Sequence, residues 1–130
     1  MFDKYIIGED SIRNVSEGGA VVGFAFDSRI SYYRGLGVSM VEPFEIRIDG
    51  AEPIPAESIL FTLGDRTWTA DELAADGDSR WELLDTATIT ALVAGGLSAG
   101  EHKVEITEVL RVSYLPFLSR TTYTRTVDIP

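Results

Sequence analysis

Apolar side chains recur at every second position along most of this 130-residue chain, which is the spacing of β-strands that bury one face. Glu45 and Arg47 lie on one parity of residues 38–48, and the other parity holds Val38, Met40, Phe44, Ile46 and Ile48. Residues 86–93 and 104–114 alternate in the same way. Frequent Gly and Asp turns separate these runs, a pattern typical of two packed antiparallel sheets. We therefore predict an all-β fold, an antiparallel β-sandwich with one short helix.

Three features depart from simple alternation. Residues 19–26 are apolar on both parities, which predicts a central strand covered on both faces. Pro43 cannot donate to a strand ladder, so it marks an edge position or a bulge. Glu108 interrupts the apolar positions of the last long strand pattern. A β-bulge that resets the register is the favoured explanation, ahead of a polar site or a contact with a partner.

The middle of the chain predicts a hairpin followed by the helix. Residues 59–63 alternate before Gly64, which suits the first position of a tight turn and would return Trp68 to the same sheet. Thr69 is the predicted N-cap of a helix over residues 69–75, with acidic side chains in its first turn. Residues 81–84 predict a further short strand.

Charge and cysteine content exclude several classes of function. With 21 acidic and 11 basic residues, the formal net charge is −10, so we expect neither nucleic acid nor a membrane as partner. Residues 1–10 lack a basic region and a long apolar run, and we expect no signal peptide. The chain has no cysteine, which excludes thiolate chemistry and fits a cytoplasmic location. We predict a single domain over residues 1–130.

Few side chains suit catalysis at neutral pH. His102 is the single histidine, and a structural role in which its ring holds the preceding loop is favoured over a role as base or ligand. Asp76 and Asp78 lack the spacing of a calcium loop. No serine lies in a Gly-x-Ser-x-Gly motif. We predict no catalytic, cofactor-binding or metal-binding residue in this chain.

Large amphipathic side chains are concentrated in two predicted turns, as Tyr32, Tyr33 and Arg34 and as Tyr114 and Phe117. Tyr and Arg are enriched in the energetic centres of interfaces because they bury a large area and keep a polar group. These five residues form an exposed patch, or Tyr32, Tyr33 and Phe117 close the open end of the sandwich. Both alternatives remain open from the sequence.

Several segments in a fixed order carry a resemblance to a known family. They are Asp3-Lys4-Tyr5-x-Ile7, Gly23-Phe24, residues 33–50, Trp81, Gly95-Gly96-Leu97, Gly100-x-His102 and Ser113-Tyr114-Leu115-Pro116. In order and spacing the chain resembles the small (β) subunit of bacterial C-glycoside deglycosidases, and the resemblance extends nearly from end to end. That subunit is a β-sandwich, in agreement with the fold predicted above.

The resemblance implies an accessory, non-catalytic subunit of a heteromeric carbon–carbon lyase. The large subunit would be a TIM barrel similar to sugar phosphate isomerases, with the catalytic base and a divalent metal, expected to be manganese. The implied substrate is a 3-oxo-C-glucoside such as 3-oxo-puerarin or 3'-dehydrocarminate. No cofactor is expected in the small subunit itself.

We predict that Tyr32, Tyr33 and Arg34, together with Tyr114 and Phe117, contact the large subunit or border its pocket. Two alternatives come from other classes of protein. One is a free-standing carbohydrate-binding β-sandwich, which would need an exposed Trp68 or Trp81 ring for stacking on sugar. The other is a structural dimerisation domain with a symmetric self-interface.

Overall fold

In a computed structural model of the protein, residues 3–130 are described, and strands account for most of their regular structure. The strands are β1 (Arg13–Glu17), β2 (Ala20–Ser28), β3 (Leu36–Gly37), β4 (Glu45–Ile48), β5 (Ile59–Leu63), β6 (Arg66–Trp68), β7 (Arg80–Trp81), β8 (Ala87–Ala91), β9 (Gly100–Leu110) and β10 (Ser119–Ile129). The helix α1 (Ala70–Ala75) lies between β6 and β7, and 3-10 turns occupy Asp3–Tyr5, Val38–Met40 and Ala56–Ser58.

Two antiparallel sheets form the layers of the fold. One has five strands in the order β1-β2-β8-β5-β6, and the other has three in the order β10-β9-β4. The short strands β3 and β7 pair separately. β2 lies between β1 and β8, which confirms an interior strand for residues 20–26, whereas Gly19 lies in the turn before it.

A single hydrophobic cluster fills the space between the two larger sheets. Phe26 and Phe61 come from the five-stranded sheet, and Ile106 comes from the three-stranded sheet. The Phe44 ring lies 6.3 Å from that of Phe26 and 6.4 Å from that of Trp81, distances at which aromatic rings attract each other. The β-sandwich prediction is confirmed.

The predicted hairpin and helix are both present. β5 and β6 pair across Gly64, whose φ of +65° is left-handed and favours glycine at this turn position. The Thr69 hydroxyl accepts a hydrogen bond from the Glu72 N–H, and the Glu72 carboxylate accepts one from the Thr69 N–H. This reciprocal capping box begins α1 and allows Leu73 to be buried.

The prediction of strand structure through residues 38–48 is correct only at its end. Val38–Met40 is a 3-10 turn, and β4 begins at Glu45. The Met40 carbonyl accepts a hydrogen bond from the Arg111 N–H, and Val41 makes one isolated bridge to Leu110. Pro43 follows this bridge, and it supplies no N–H with which the ladder could continue.

The predicted bulge at Glu108 is wrong. β9 pairs with β10 residue for residue, and Glu108 lies opposite Thr121 without a shift of register. Its side chain therefore keeps the inward direction of Val104 and Ile106, since alternate residues share a face. β9 ends at Leu110, so Tyr114 lies in the loop that follows it and not in the strand. The short strand predicted for residues 81–84 is likewise cut short: β7 ends at Trp81, and residues 82–84 lie in the next loop.

Candidate functional site

Two loops converge at the end of the three-stranded sheet where β9 passes into β10. The first loop carries Tyr32, Tyr33 and Arg34, and the second carries Tyr114. The hydroxyl oxygens of Tyr33 and Tyr114 lie 2.8 Å apart, and the Arg34 guanidinium lies 5.5 Å from the centre of the Tyr114 ring. The Tyr32 and Tyr33 ring centres are 4.4 Å apart. We call these four residues, together with Phe117, the aromatic patch.

The aromatic patch is exposed rather than folded into the core. Tyr33, Tyr114 and Phe117 are 59%, 54% and 64% exposed. Tyr32 alone packs against the hydrophobic cluster. The alternative in which Tyr32, Tyr33 and Phe117 close the end of the sandwich is therefore wrong for two of its three residues.

The structure thus brings together four of the five residues that were predicted from the sequence. Phe117 shares the second loop with Tyr114, but no ring contact joins it to the other four among the described residues. Leu118, which follows it, is also exposed and adds apolar area that the sequence analysis did not include. Exposed large apolar side chains that lie together indicate an interaction surface.

A buried carboxyl group holds the first loop in place. The Ser31 N–H and hydroxyl both donate to Oε1 of Glu108, over 2.8 Å and 2.6 Å. Glu108 has no exposed surface, and its Oε2 makes no hydrogen bond to the described residues. Burial raises the pKa of Glu108 to about 7, although the two Ser31 hydrogen bonds lower it. Glu108 therefore fixes the backbone immediately before Tyr32.

A cleft of about 290 Å³ borders the aromatic patch, and three arginines line it: Arg34, Arg80 and Arg111. Arg111 donates to the Ser39 carbonyl over 2.7 Å, and its Nε lies 3.7 Å from a Glu42 oxygen. Arg80 Nε lies 3.4 Å from a Glu82 oxygen, so of the three arginines only Arg34 has no carboxylate partner among the described residues. The Arg34 guanidinium favours a partner that presents a carboxylate.

The single histidine holds two loops together. His102 Nδ1 lies 2.7 Å from Asp49 Oδ2, and Nε2 lies 2.8 Å from the Ser98 carbonyl oxygen and 3.3 Å from the Ser98 hydroxyl. The hydrogen bond with Asp49, followed by the one with the Ser98 carbonyl, raises the pKa of His102. The predicted structural role of His102 is confirmed.

The cluster of Asp49, His102 and Ser98 has the composition of a catalytic triad but lacks the required hydrogen-bond pattern. In a triad, the imidazole nitrogen next to the serine must accept its hydroxyl proton. Here the neighbour closest to Nε2 is the Ser98 carbonyl oxygen, which can only accept, and the Ser98 hydroxyl is farther away. Nδ1 also faces an acceptor, the Asp49 carboxylate, so the arrangement favours a protonated ring over one with a lone pair directed at the Ser98 hydroxyl.

Both tryptophans belong to the interior. Trp81 is 0% exposed and donates from Nε1 to the Asp85 carbonyl, and Trp68 is 3% exposed and donates to Asp76. Stacking on a sugar needs an exposed ring face. The carbohydrate platform considered from the sequence is therefore wrong for both rings.

Neither a metal-binding cluster nor a membrane-spanning helix is present among residues 3–130. No three His, Asp or Glu side chains within that range lie close enough together to hold a metal ion. Over the same residues, no helix has the length and apolar character that crossing a membrane requires.

Sequence analysis missed Ser31, Arg80 and Arg111 as neighbours of the site. Nothing local marks Arg80 or Arg111, because their contribution depends on how distant loops converge. Glu108 did carry a signal, since it shares the parity of Val104 and Ile106. An acidic residue at an inward position indicates a buried hydrogen-bonding role when the register is unbroken.

Comparison with known proteins assigns the chain to a family. Residues 2–114 match the model of the family described as C-glycoside deglycosidase beta subunit. The chain is 29% identical to the C-glycoside deglycosidase beta subunit of Eubacterium cellulosolvens over 115 residues, which are 88% of this chain and 78% of that protein. It is 34% identical to the 3'-dehydrocarminate deglycosidase beta subunit of a Microbacterium species over 116 residues, 89% of this chain and 83% of the relative.

The matched region contains both loops of the aromatic patch up to Tyr114, together with Glu108 and the strand that carries it. Phe117 and all of β10 lie beyond it. The extent of this match and the 34% identity to a relative that is covered over most of its length confirm the resemblance recognised in the sequence: the chain belongs to the C-glycoside deglycosidase beta subunit family.

Proposed function

We propose that this protein is the non-catalytic small subunit of a heteromeric C-glycoside deglycosidase, a carbon–carbon lyase. The observation that carries the proposal is the family match over residues 2–114. Its relatives are described as beta subunits, and a beta subunit has a partner chain. We expect that partner to be a TIM barrel that holds the catalytic base and a divalent metal, expected to be manganese.

The chemistry of the proposed substrate explains why the reaction would need such a partner. A bond from sugar carbon to an aromatic carbon has no glycosidic oxygen that an acid could protonate, so the two-carboxylate route of ordinary glycosidases is closed. In a 3-oxo-C-glucoside, the ketone acidifies the proton on sugar C2. A base would remove that proton, a C1–C2 double bond would form, and the bond from C1 to the aglycone would break, with its electron pair taking up a proton at the aromatic carbon. A divalent metal would supply Lewis acidity to the enolate oxygen.

The described residues of the small subunit support placing this proton chemistry elsewhere. Both ring nitrogens of His102 lie beside hydrogen-bond acceptors of this chain, the Asp49 carboxylate and the Ser98 carbonyl oxygen. Glu108 is buried and directed at Ser31. The aromatic patch instead offers what a binding surface needs, namely exposed aromatic area with polar groups at its edge. In the proposal this patch docks on the large subunit, and the arginine-lined cleft receives a carboxylate from it. The same proposal places the complex in the cytoplasm.

Assembly and turnover test the proposal together. The chain and a candidate TIM-barrel subunit are expressed separately and together with manganese, and each preparation is given a 3-oxo-C-glucoside. Turnover and a stable complex are expected only on co-expression. A candidate subunit that is equally active alone would contradict the requirement for this chain, and turnover by this chain alone would contradict its non-catalytic role.

Variants of the patch locate the interface. Tyr33→Ala and Arg34→Ala are expected to weaken assembly about tenfold or more, since hot-spot residues contribute about 2 kcal/mol each. Leu84→Ala is the matched control, because Leu84 is an exposed apolar side chain outside the patch. Unchanged assembly in both patch variants would place the interface on another surface.

A further inference from the structure

The four outer strands of the two larger sheets differ in how well their free edges are protected. β1 has a register shift between Val15 and Ser16, and β6 has only three residues. On the free side of β4, the Ile54 N–H donates to the Ile46 carbonyl. Short length, irregular register and a covering segment are the devices by which proteins prevent unwanted strand pairing.

β10 lacks these three devices, although charged side chains also protect an edge and β10 carries Arg120, Arg125 and Asp128. It spans 11 residues, pairs with β9 along its whole length without a register shift, and contains neither proline nor lysine. A long, regular and unpaired edge is a template for another strand. Such an edge is available to pair with a further strand.

The hydrogen bonds of β9 show which groups of β10 face outward. The Val109 and Lys103 carbonyls accept from Glu42 and Asp49, on the β4 side. Odd-numbered residues of β9 therefore face β4 and even-numbered residues face β10, since backbone groups alternate sides along a strand. The even residues of β9 lie opposite the odd residues of β10. The free edge is therefore formed by the N–H and C=O groups of the even residues, namely Arg120, Thr122, Thr124, Thr126 and Asp128.

No backbone hydrogen bond between described residues closes this edge from the outer side. The side chains of the same five residues are exposed. On the inner face, Arg125 donates from Nη2 to the Ile7 carbonyl over 3.2 Å, so the chain near Ile7 contacts a β10 side chain and does not pair with its backbone.

We propose that two copies of this chain pair through antiparallel β10 strands, around a two-fold axis at Thr124. The side chains on the free edge follow the order Arg, Thr, Thr, Thr, Asp. When a second copy runs antiparallel, its order is reversed, and each charged end then meets the opposite charge. Arg120 of one copy lies opposite Asp128 of the other at both ends, and threonine lies opposite threonine between them. Opposite charges across a strand pair stabilise it, whereas like charges destabilise it.

The inner face is complementary in the same register. Pairing 120 with 128 also places Tyr123 of one copy opposite Arg125 of the other. Arg125 already lies 5.4 Å from the centre of its own Tyr123 ring, and its Nε makes no hydrogen bond among the described residues. Arginine and tyrosine attract each other through the ring face, so this register provides a second symmetric pair of contacts.

Within its own chain, Arg120 donates to Glu45 over 2.6 Å. A guanidinium has five N–H donors, so Arg120 retains donors for Asp128 of the second copy. If the register between the two β10 strands shifted by two residues in either direction, Arg120 or Asp128 would lie opposite a threonine or beyond the end of the other strand. The register centred on Thr124 therefore gives the largest overlap and the best charge match, with about ten backbone hydrogen bonds between copies.

The proposed self-pairing does not depend on the proposed function, because the edge residues are distinct from the aromatic patch. The self-pairing would join the three-stranded sheets of two copies into one sheet of six strands. The dimerisation that was considered from the sequence as an alternative function then becomes an additional property of the subunit. Closed two-fold pairing is also the common way for a chain to form a homodimer.

Charge exchange tests the register. The full chain is examined by sedimentation velocity across a concentration series, and the wild type is expected to be a dimer. Arg120→Asp or Asp128→Arg alone should raise the dimer dissociation constant about tenfold or more through like-charge contacts. The double variant Arg120→Asp/Asp128→Arg should return close to the wild-type value. Lys103→Asp is the matched control, since it makes the same charge change on an exposed side chain of neighbouring β9.

A single cysteine provides a direct distance test, because the chain has none of its own. In the proposed register, the two Thr124 Cα atoms lie about 5.5 Å apart, within the range of a disulfide. Thr124→Cys should form a covalent dimer on oxidation. Thr122→Cys should not, because the two copies of residue 122 are offset by four positions, about 13 Å along the strands.

Thr124→Pro should abolish the dimer without unfolding the chain, since the lost N–H faces the free edge. A monomeric wild type, or a dimer indifferent to the proline and to both charge reversals, would overturn the proposal. If the wild type is monomeric and Thr124→Pro disrupts assembly with the large subunit, the edge pairs with that subunit and the self-pairing is equally overturned.

Discussion

Two ionisable side chains on the inward face of β9 hold loops at opposite ends of the three-stranded sheet. His102, near the start of the strand, joins the turn at Asp49 to the loop at Ser98. Glu108, near its end, holds Ser31 and with it the start of the aromatic patch. The two groups have similar numbers of hydrogen bonds. They differ in their access to water.

At the first of these sites, each partner favours the charged form of the other. Hydrogen bonding to Asp49 raises the pKa of His102, and hydrogen bonding from the Lys103 N–H, followed by that with His102, lowers the pKa of Asp49. Glu108 has no charged partner, and burial raises its pKa to about 7. Exposed ion pairs contribute little to stability, whereas a buried group left without a partner costs much more. Burial therefore decides which loop anchor matters most to the fold.

The largest expected effect comes from removing the buried anchor. Glu108→Ala leaves the Ser31 N–H and hydroxyl without their acceptor and opens a cavity in the core. We expect the free energy of unfolding to fall by about 3 kcal/mol, measured by urea denaturation at pH 6. Glu101→Ala, at an exposed position of the same strand, should change it little. A loss below about 0.5 kcal/mol for Glu108→Ala would mean that the Ser31 loop holds its place without this anchor.

The pH dependence of stability isolates the charge on Glu108. Because its folded pKa of about 7 lies above the ordinary value of 4.5, the folded state binds more protons than the unfolded state between these values. Its contribution is full below pH 4.5 and is lost as the pH rises to about 7. From pH 5 to pH 8, the wild type should lose about 2 kcal/mol more stability than Glu108→Gln, which cannot ionise.

The comparison with Glu108→Gln is needed because His102 titrates in the same range and with the same sign. Both proteins contain His102, so the difference between their curves belongs to Glu108. Parallel curves for the two proteins would show that Glu108 ionises in the folded state with an ordinary pKa.

The contrast between these two sites also shows how far sequence patterns extend. Strand alternation predicted the sandwich, and the parity of Glu108 already placed it on the buried face. Treating a charged residue as incompatible with that face led to the wrong prediction of a bulge. The carboxyl group is accommodated because its pKa rises and because Ser31, which is 77 positions away in the chain, supplies two donors. No local pattern predicts such a partner.

The aromatic patch was predictable for a different reason. Tyr33 and Arg34 are adjacent in the sequence, and large amphipathic residues in a turn indicate exposure. The hydroxyl contact between Tyr33 and Tyr114 joins positions 81 residues apart. That contact depends on how β9 and β10 are connected, which is a property of the fold and not of either segment.

The smallest effect is expected at the His102 anchor, whose ion-pair partner Asp49 is 50% exposed and whose pH dependence has the same sign as that of Glu108. The raised pKa of His102 makes its pairing with Asp49 stabilising below pH 6.5, and this contribution is lost as the pH rises through the raised value. His102→Ala should therefore lower the melting temperature more at pH 6 than at pH 9, and by less than Glu108→Ala at either pH.

Asp49→Asn is the matched variant for this pair. Asp49 has a φ of +54°, a conformation that asparagine also adopts readily, and the amide oxygen can still accept from the Lys103 N–H. Only the charge is removed, so a pH-dependent loss like that of His102→Ala would assign the effect to the ion pair. If His102→Ala costs the same at pH 6 and pH 9, the ring acts through packing and its neutral hydrogen bonds, and the two anchors of β9 then differ in burial alone.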